Sequence, residues 1–520
     1  MSFPIATGSQ MREVDRITIE ERGIPGLVLM ENAGTGVANA IKRRYSSLKD
    51  KNITVVSGKG NNGGDGYVVA RLLLDECNEM NVFVLAEESA LKGDALENYK
   101  RIKEAGAQIY HLKSTSEFDE EVMSILKRTD IIVDAILGTG ITGEVKGFYG
   151  EVINLINDLR KDVVSVDISS GLSSDTGKIS GPAIFSNLTV TLGMAKIAHF
   201  VYPAAKYAGD LEIVDIGIPD DVIENMKFDV EVIEKEDVRK ILPQREKDAH
   251  KGNFGHTVII GGSVGKSGAV IMAAEAAMRS GAGLVTAVVP KGINTVIEAN
   301  LIEAMSFPVE ENKNGAISKE AVDSILDFCR DKDVVAAGPG MGADKDGEVI
   351  IEALLKNLDM PLVLDADAIN ILSKNKEILR ERKGEVILTP HPGEMGRLMG
   401  IKSSDVQKER LEVCIEAAKD FDCIVVLKGK NSIISNRGKK TFINTTGNPG
   451  MATGGSGDVL TGIIAGLLSQ GVPSEYSASC GVFIHGLAGD IAAEDIGEVS
   501  LCAGDVIDYL PEAFLRCLTC

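Results

Sequence analysis

Short, continuous apolar runs recur along the chain, separated by longer stretches that mix polar and apolar positions. In the first half they are Ile53–Ser57, Val82–Ala86, Ile131–Asp134, Val163–Asp167 and Leu188–Leu192. In the second half they are Thr257–Ile260, Leu284–Val289, Val334–Ala337, Leu362–Asp365, Val386–Leu388 and Ile424–Leu427. Runs this short and this apolar suit strands buried on both faces. The intervening stretches, such as Tyr67–Asp75 and Tyr149–Leu159, read as helices. Alternation of strand and helix predicts an α/β protein with parallel sheets. Between the halves lies a charged segment, 218–251, with Pro219, Pro243 and the run Glu234-Lys235-Glu236-Asp237. It places a boundary near 220, giving domains 1–220 and 221–520. Each half opens with a strand and a glycine loop, but the loops differ in kind, so the halves read as two unrelated α/β domains.

Composition narrows this picture. The chain has 520 residues, 44% of them hydrophobic, and its 56 glycines are dispersed. At roughly 150 residues per domain the length suits two large domains or three smaller ones. A net charge of −21 argues against nucleic-acid or anionic-membrane binding. No 18-residue apolar run or signal peptide is visible, so no membrane span is expected. Eight cysteines, mostly in apolar settings such as Cys414 and Cys423, read as reduced thiols of a cytoplasmic protein. Cys517-Leu518-Thr519-Cys520 lacks a second pair and is not expected to hold zinc.

The richest segment is Asn448-Pro449-Gly450-Met451-Ala452-Thr453-Gly454-Gly455-Ser456-Gly457-Asp458, which runs into the apolar helix Val459–Leu468. Glycines let backbone N–H groups approach an anion. The helix N-terminus adds positive potential there. Asp458 can take a proton from a hydroxyl while the amides hold a phosphate, the anatomy of phosphoryl transfer. An ordinary glycine-rich helix start is the plainer alternative.

Three more loops follow strands of the first half, where open α/β sheets bind ligands. They are Gly58–Gly66 (Gly-Lys-Gly-Asn-Asn-Gly-Gly-Asp-Gly), Asp134–Glu144 and Asp167–Gly171. Strand-end carboxylates in an apolar sheet are costly without a partner, although Asp134 and Asp167 could instead cap the following helices. Asp167 is the candidate acid/base. Asn62, Asp134 and Ser170 offer hard oxygens to a monovalent cation. In the second half Lys428 ends an apolar strand and can meet phosphates or extend to solvent. His391, between two prolines, is a ligand contact or a helix cap. Gly265-Lys266-Ser267 lacks the spacing of a Walker loop, so Lys266 lines the pocket or lies at the surface.

The first half resembles the NAD(P)HX epimerase family in Asn61-Asn62-Gly63-Gly64-Asp65-Gly66, Asp134 through Gly140, and Asp167-Ile168-Ser169-Ser170-Gly171. The second half resembles the ribokinase-like NAD(P)HX dehydratases in His250–Gly255, Gly261-Gly262-Ser263, Gly338–Gly342, Thr389–Glu394, Lys428-Gly429 and the Gly457-Asp458 motif. The resemblance implies a Rossmann-like three-layer domain followed by a ribokinase-like one. The first would epimerise R and S hydrates of NAD(P)H, and the second would dehydrate the S form at the expense of ADP. It puts epimerase ligand contacts on Asn61, Asn62, Gly63, Gly64, Asp65, Gly138, Thr139, Gly140, Ile141, Thr142, Gly143, Glu144 and Asp167, and potassium on Asn62, Asp134 and Ser170. It puts hydrated-nicotinamide contacts on Ala269, Gly342, His391 and Asp458, and ADP on Lys428, Gly429, Lys430, Asn431, Ser432 and Gly457. Family members commonly assemble, so a homo-oligomer is expected. Magnesium is expected with the nucleotide, since phosphoryl transfer commonly needs it. Ser169 replaces the usual proline of the third loop. That removes a fixed φ, though activity is expected to survive. Two other functions fit parts of the chain: a ribokinase-like small-molecule kinase with an N-terminal ligand-binding domain, and a first half retained only as a scaffold. The second acid/base group of the first half has no candidate beyond Lys146, which lies near the second loop.

Overall fold

The computed structural model describes residues 3–141, 143–179 and 181–519. The chain divides into two compact units between Val230 and Glu231, slightly past the boundary expected near 220. The segment 221–230 therefore folds with the first unit, where Val222 is buried in the core.

In the first unit seven parallel strands run in the order Gln108–His111, Glu79–Val84, Asn52–Ser57, Ile131–Ala135, Asp162–Val166, Leu188–Leu192 and Asp210–Val214. The second predicted strand slips toward the N-terminus, because Asn81 is buried within it while Ala86 lies beyond it. Gln108–His111 and Asp210–Val214 were not expected. They are edge strands that alternate partly exposed positions, so they show no continuous apolar run. The chain leaves Asn52–Ser57 in one direction and returns beside it at Ile131–Ala135. Loops diverge at that switch point and open a crevice at the strand C-termini.

In the second unit the strands run Lys440–Ile443, Ile433–Asn436, Ile424–Leu427, Val386–Leu388, Leu362–Leu364, Val334–Ala337, His256–Ile260, Leu284–Pro290 and Met305–Val309. From Ile424–Leu427 to Met305–Val309 the pairing is parallel. The hairpin Ile433–Asn436 and Lys440–Ile443 is antiparallel, which departs from the uniformly parallel expectation. Here too the order reverses, between His256–Ile260 and Val334–Ala337, so the glycine loops after them part at one edge.

The helix after the glycine segment spans Ser456–Ser469, longer than expected at both ends. It packs on helix Ser267–Arg279. Gly462 permits this: a Cβ there would lie 2.1 Å from the Ala273 carbonyl oxygen. Among the described residues no helix is long and apolar enough to cross a membrane. Cys329, Cys414, Cys423, Cys480 and Cys517 are free and buried, as core thiols should be, while Cys520 lies outside the described residues. Overpacking such a contact costs about 1–3 kcal/mol, so Gly462→Val should lower the thermal midpoint by several degrees in calorimetry, and an unchanged midpoint would contradict this packing.

Candidate active sites

At the switch point of the first unit a cavity of about 560 Å³ is lined by Asn62, Asp65, Gly138, Asp167 and Lys196, among others. Asn61 to Asp65 do not form a loop. The helix starts at Asn61 and runs to Leu73, so only Gly58-Lys59-Gly60 makes the turn. Gly63 and Gly64 are buried in its first turns, and Asp65 is buried as well. Gly138, Thr139, Gly140 and Ile141 line the cavity. Gly143 and Glu144 are exposed, with Glu144 ion-paired to Lys146 at 2.7 Å. Thr142 lies outside the described residues.

Asp167 follows the strand Asp162–Val166 with φ of +67°. A non-glycine residue in the left-handed region carries strain, and such strain concentrates at functional sites. Three donors converge on its Oδ1: the Lys196 ammonium, the Leu192 amide at 3.1 Å and the Thr191 hydroxyl at 3.3 Å. Lys196 is 1% exposed. It is the group that sequence reading missed, because it stands outside the three glycine loops, whereas Lys146 is exposed and ion-paired to Glu144. Behind it His199 accepts from the Lys196 amide through Nδ1. Burial, with the Lys196 charge, pushes this imidazole down to about 3. Ser169 donates to the Tyr207 carbonyl at 3.1 Å and meets Ser186 Oγ at 2.8 Å. Side-chain hydrogen bonds thus hold the loop where proline would have fixed φ.

Asp134 is fully buried. Its oxygens accept from the Ser165 hydroxyl, the Ser170 amide and the Ser170 hydroxyl at 2.7, 2.9 and 2.6 Å. Burial raises its carboxyl despite these bonds. Asn62 donates to the Leu137 carbonyl at 3.2 Å, and Ser170 Oγ lies 3.2 Å from the same oxygen. Asn62 Oδ1 is buried and has no hydrogen-bond partner among the described residues. An orphaned oxygen beside a carbonyl, a hydroxyl and a carboxylate suits a monovalent cation.

In the second unit Gly455, at φ +97°, turns the chain into the helix Ser456–Ser469. Among the described residues no side chain caps that end, so its first amides remain available to an anion. Asp458 sits on the first turn. Burial, reinforced by Asp365 and opposed by Lys428, pushes its carboxyl up to about 7. Lys428 neither extends to solvent nor stands free for phosphate. Its Nζ pairs with the buried Asp365 at 2.7 Å, and Asp365 also accepts from Thr461 at 2.9 Å. Burial disfavours the ammonium, but Asp365 and Glu394 outweigh it and raise Lys428. A Cβ on Gly457 would lie 3.1 Å from Lys428 Nζ, which places Lys428 directly against the glycine turn.

The remaining predicted contacts gather on this edge. Gly342 donates to Asp367 at 2.9 Å, and Lys266 pairs with Asp367 at 3.3 Å, so Lys266 belongs to the site's rim. Gly340 lies against Ala269, whose Cβ a side chain there would meet at 3.3 Å. His391 is a helix cap: its Nδ1 accepts from Gly393, and Glu394 accepts from the His391 amide at 2.8 Å. Burial, then Lys428 and Arg397, lowers its imidazole, leaving a neutral, half-exposed ring beside Lys428. In the segment Lys428–Ser432, Gly429 and Lys430 are exposed and Asn431 is buried. Ser432 donates to the Gly429 carbonyl at 3.0 Å and Lys430 to that of Gly447 at 3.0 Å, bringing this turn to the glycine segment.

Known families match both units of the chain. Residues 26–198 match the YjeF-related N-terminus family, and residues 257–512 match the NAD(P)H-hydrate dehydratase family. A Moorella thermoacetica protein named bifunctional NAD(P)H-hydrate repair enzyme is 41% identical over 98% of this chain and 96% of its own length. A Coxiella burnetii protein of the same name is 36% identical over 96% of this chain and 97% of its own. The chain belongs to the bifunctional NAD(P)H-hydrate repair enzyme family. A crystal structure of the Bacillus subtilis ADP/ATP-dependent NAD(P)H-hydrate dehydratase, co-crystallised with ATP and magnesium, matches 55% of this chain and 98% of its own with TM-score 0.50 and 31% identity. That match carries the ribokinase-like fold of one part of this family member.

The raised Asp458 carboxyl has a consequence for stability. Its folded value of about 7 lies above the ordinary 3.8, so folding favours the protonated acid. That stability is complete near pH 4 and is lost as pH rises through about 7. Asp458→Asn should therefore stabilise the protein by about 1–3 kcal/mol at pH 8 and by almost nothing at pH 4, read as paired thermal midpoints. Equal gains at both pH values would refute the buried, raised carboxyl.

Proposed function

We propose that this chain repairs hydrated nicotinamide cofactors. The first unit interconverts the R and S hydrates of NADH and NADPH, and the second removes water from the S hydrate using ADP, giving AMP and phosphate. The observation that carries the reading is Asp458: a carboxyl poised near neutrality on the first turn of an uncapped helix, beside a glycine turn and a buried lysine. In this reading Asp458 takes the proton of the ring hydroxyl, which attacks the terminal phosphate. The free helix amides hold the transferring charge. The phosphorylated oxygen then leaves as phosphate with its bonding electrons as the ring nitrogen forms a C=N bond, and the neighbouring ring carbon gives up a proton to the departing phosphate, so that the ring double bond reforms. Lys428 and its partner Asp365 fix the electrostatics of the turn. The segment Lys428–Ser432, exposed at Gly429 and Lys430, holds the nucleotide with Gly457, and Ala269, Gly342 and His391 border the hydrated ring.

Magnesium fits as a companion of the nucleotide. Among the described residues no group of three or more His, Cys, Asp or Glu side chains could hold a metal. Magnesium usually takes one or two carboxylates plus phosphate oxygens, and Asp367, whose charge reaches Asp458, is the carboxylate that would hold it. Bound there it would neutralise phosphate charge. In the first unit Asn62, Asp134 and Ser170 hold potassium, and Asp167 is the base of the epimerisation.

The test supplies purified protein with a mixture of R and S hydrates of NADH, magnesium and ADP, with ATP in parallel, and follows NADH absorbance. Complete conversion with ADP is expected. Conversion stopping at the S fraction would remove the epimerase half of the reading. A stable phosphorylated product would favour a kinase. Asp458→Asn should lower turnover at least 100-fold while leaving nucleotide affinity within a few-fold; near-normal turnover would end its assignment as base. For the cation, the thermal midpoint should be higher in potassium chloride than in tetramethylammonium chloride at equal ionic strength. Asn62→Ala should abolish that difference, and equal midpoints for the unaltered protein would rule the site out.

A further inference from the structure

We propose that Asp15 is the second acid/base residue of the first-unit site, acting on the bound ring together with Asp167. This rests on the epimerase reading above. Asp15 stands on the helix Gly8–Arg16, ahead of the segment 26–198 that matches the family, and it lines the same cavity as Asp167 and Lys196.

The helix is fixed to that cavity. Thr7 and Gln10 close a capping box at its start, and Met11 and Val14 are buried in the core. The Gly8 amide donates to Asp175 at 2.6 Å. Ala6 pairs in parallel with Lys196 itself, and its amide donates to the Ala195 carbonyl at 2.9 Å. The segment that carries Lys196 therefore also carries the root of the Asp15 helix. Directly after Asp15 the helix widens into a π turn, Ile17–Glu21, a feature common at functional sites.

The two carboxyls are held differently. Asp167 is ion-paired through Oδ1 and offers Oδ2, which among the described residues accepts no hydrogen bond. Asp15 is half-buried, and among the described residues its side chain has no hydrogen-bond partner. Burial and the charge of Asp167, opposed by Lys196, push Asp15 up to about 6. Asp65 is buried more deeply, and burial with the charges of Asp167 and Asp15 raises it well above the ordinary carboxylate range. The other charged groups on the cavity are Arg12, Lys59 and Asp94.

Epimerisation needs this asymmetry. Hydration of the dihydronicotinamide enamine puts the hydroxyl on the carbon next to the ring nitrogen. Inversion breaks that C–O bond as the nitrogen lone pair forms a C=N bond, and the departing oxygen takes a proton from an acid and leaves as water. Water then adds to the opposite face, the π electrons return to nitrogen, and the added water gives its proton to a base. One proton is supplied on one face and one removed on the other, a task that two carboxyls on one cavity can divide. Asp15 supplies the proton and Asp167 removes the other.

The experiment uses the full chain, whose second unit supplies an internal control. R hydrate of NADH is converted to S and read as NADH with ADP and magnesium, and S hydrate alone is assayed in parallel. Asp15→Asn should slow the R-dependent rate about 100-fold and leave the S-dependent rate unchanged. Asp15→Glu should restore part of it. In the unaltered protein the R-dependent kcat should fall as pH rises through about 6, and that limb should vanish in Asp15→Asn. In H2 18O each inversion should bring one labelled oxygen into the hydrate. The proposal is overturned if Asp15→Asn stays within about twofold of the unaltered protein, if only KM changes and the limb persists, or if Asp65→Asn removes the limb instead. Should Asp15→Asn misfold, the Asp15→Glu profile decides, since an unmoved limb excludes Asp15. If the unaltered protein does not interconvert the hydrates while its S-dependent rate is intact, the epimerase reading fails as well.

Discussion

A lysine ammonium held out of water against one strand-end carboxylate organises each unit. In the first it is Lys196 on Asp167, and in the second Lys428 on Asp365. Parallel strands buried on both faces leave their C-terminal edge as the place where polar groups can gather, and an unpaired carboxylate there would be costly. Removing one member of such a pair typically costs about 3–5 kcal/mol because the other charge is stranded. Each pair thereby fixes a local potential around which the remaining groups are set. Near the first, burial raises Asp15 and Asp65 against the Lys196 charge; near the second, burial raises Asp458 against the Lys428 charge and lowers His391.

The two sites use that arrangement for different chemistry. In the second unit the available charge is that of the helix amides before Asp458, which suits a phosphate, and the nearby base is a carboxyl close to neutrality. In the first the turn Gly58-Lys59-Gly60 also opens a helix with no side-chain cap among the described residues, on the cavity of Asp167. Its cavity offers carboxyls in unlike settings, which suits the movement of two protons. Strain at Asp167, at φ +67°, is held by the strand behind it and by the three donors on Oδ1. Ser169 shows how a departure from the family pattern is absorbed, since its hydroxyl bonds to Ser186 and Tyr207 where proline would have restricted the backbone.

The apolar runs marked the central strands closely because those strands are buried on both faces. Val334–Ala337, Val386–Leu388 and Ile424–Leu427 match residue for residue. Edge strands such as Gln108–His111 and Asp210–Val214 escaped because one side meets water. The hairpin Ile433–Ile443 escaped because Asn431, Asn436 and Arg437 read as loop. Glycine density led to Asp458, Asp134 and Asp167, but it also made the first turns of the helix Asn61–Leu73 look like a loop. Glycines allow the close approach of that turn to Gly58 without preventing helix, as at Gly63.

The sequence by itself determined the class, the two-unit organisation and most of the residues at the strand ends, because burial and backbone freedom leave local marks. Only the tertiary structure decided which charges meet. Lys196 lies 29 residues from Asp167 and Lys428 lies 63 from Asp365, and no local pattern links either pair. Asp15 reaches its cavity because Ala6 pairs beside Lys196. The chemical character of each carboxyl comes from its burial and its charged neighbours, and both arise when separate strands and helices converge on one edge.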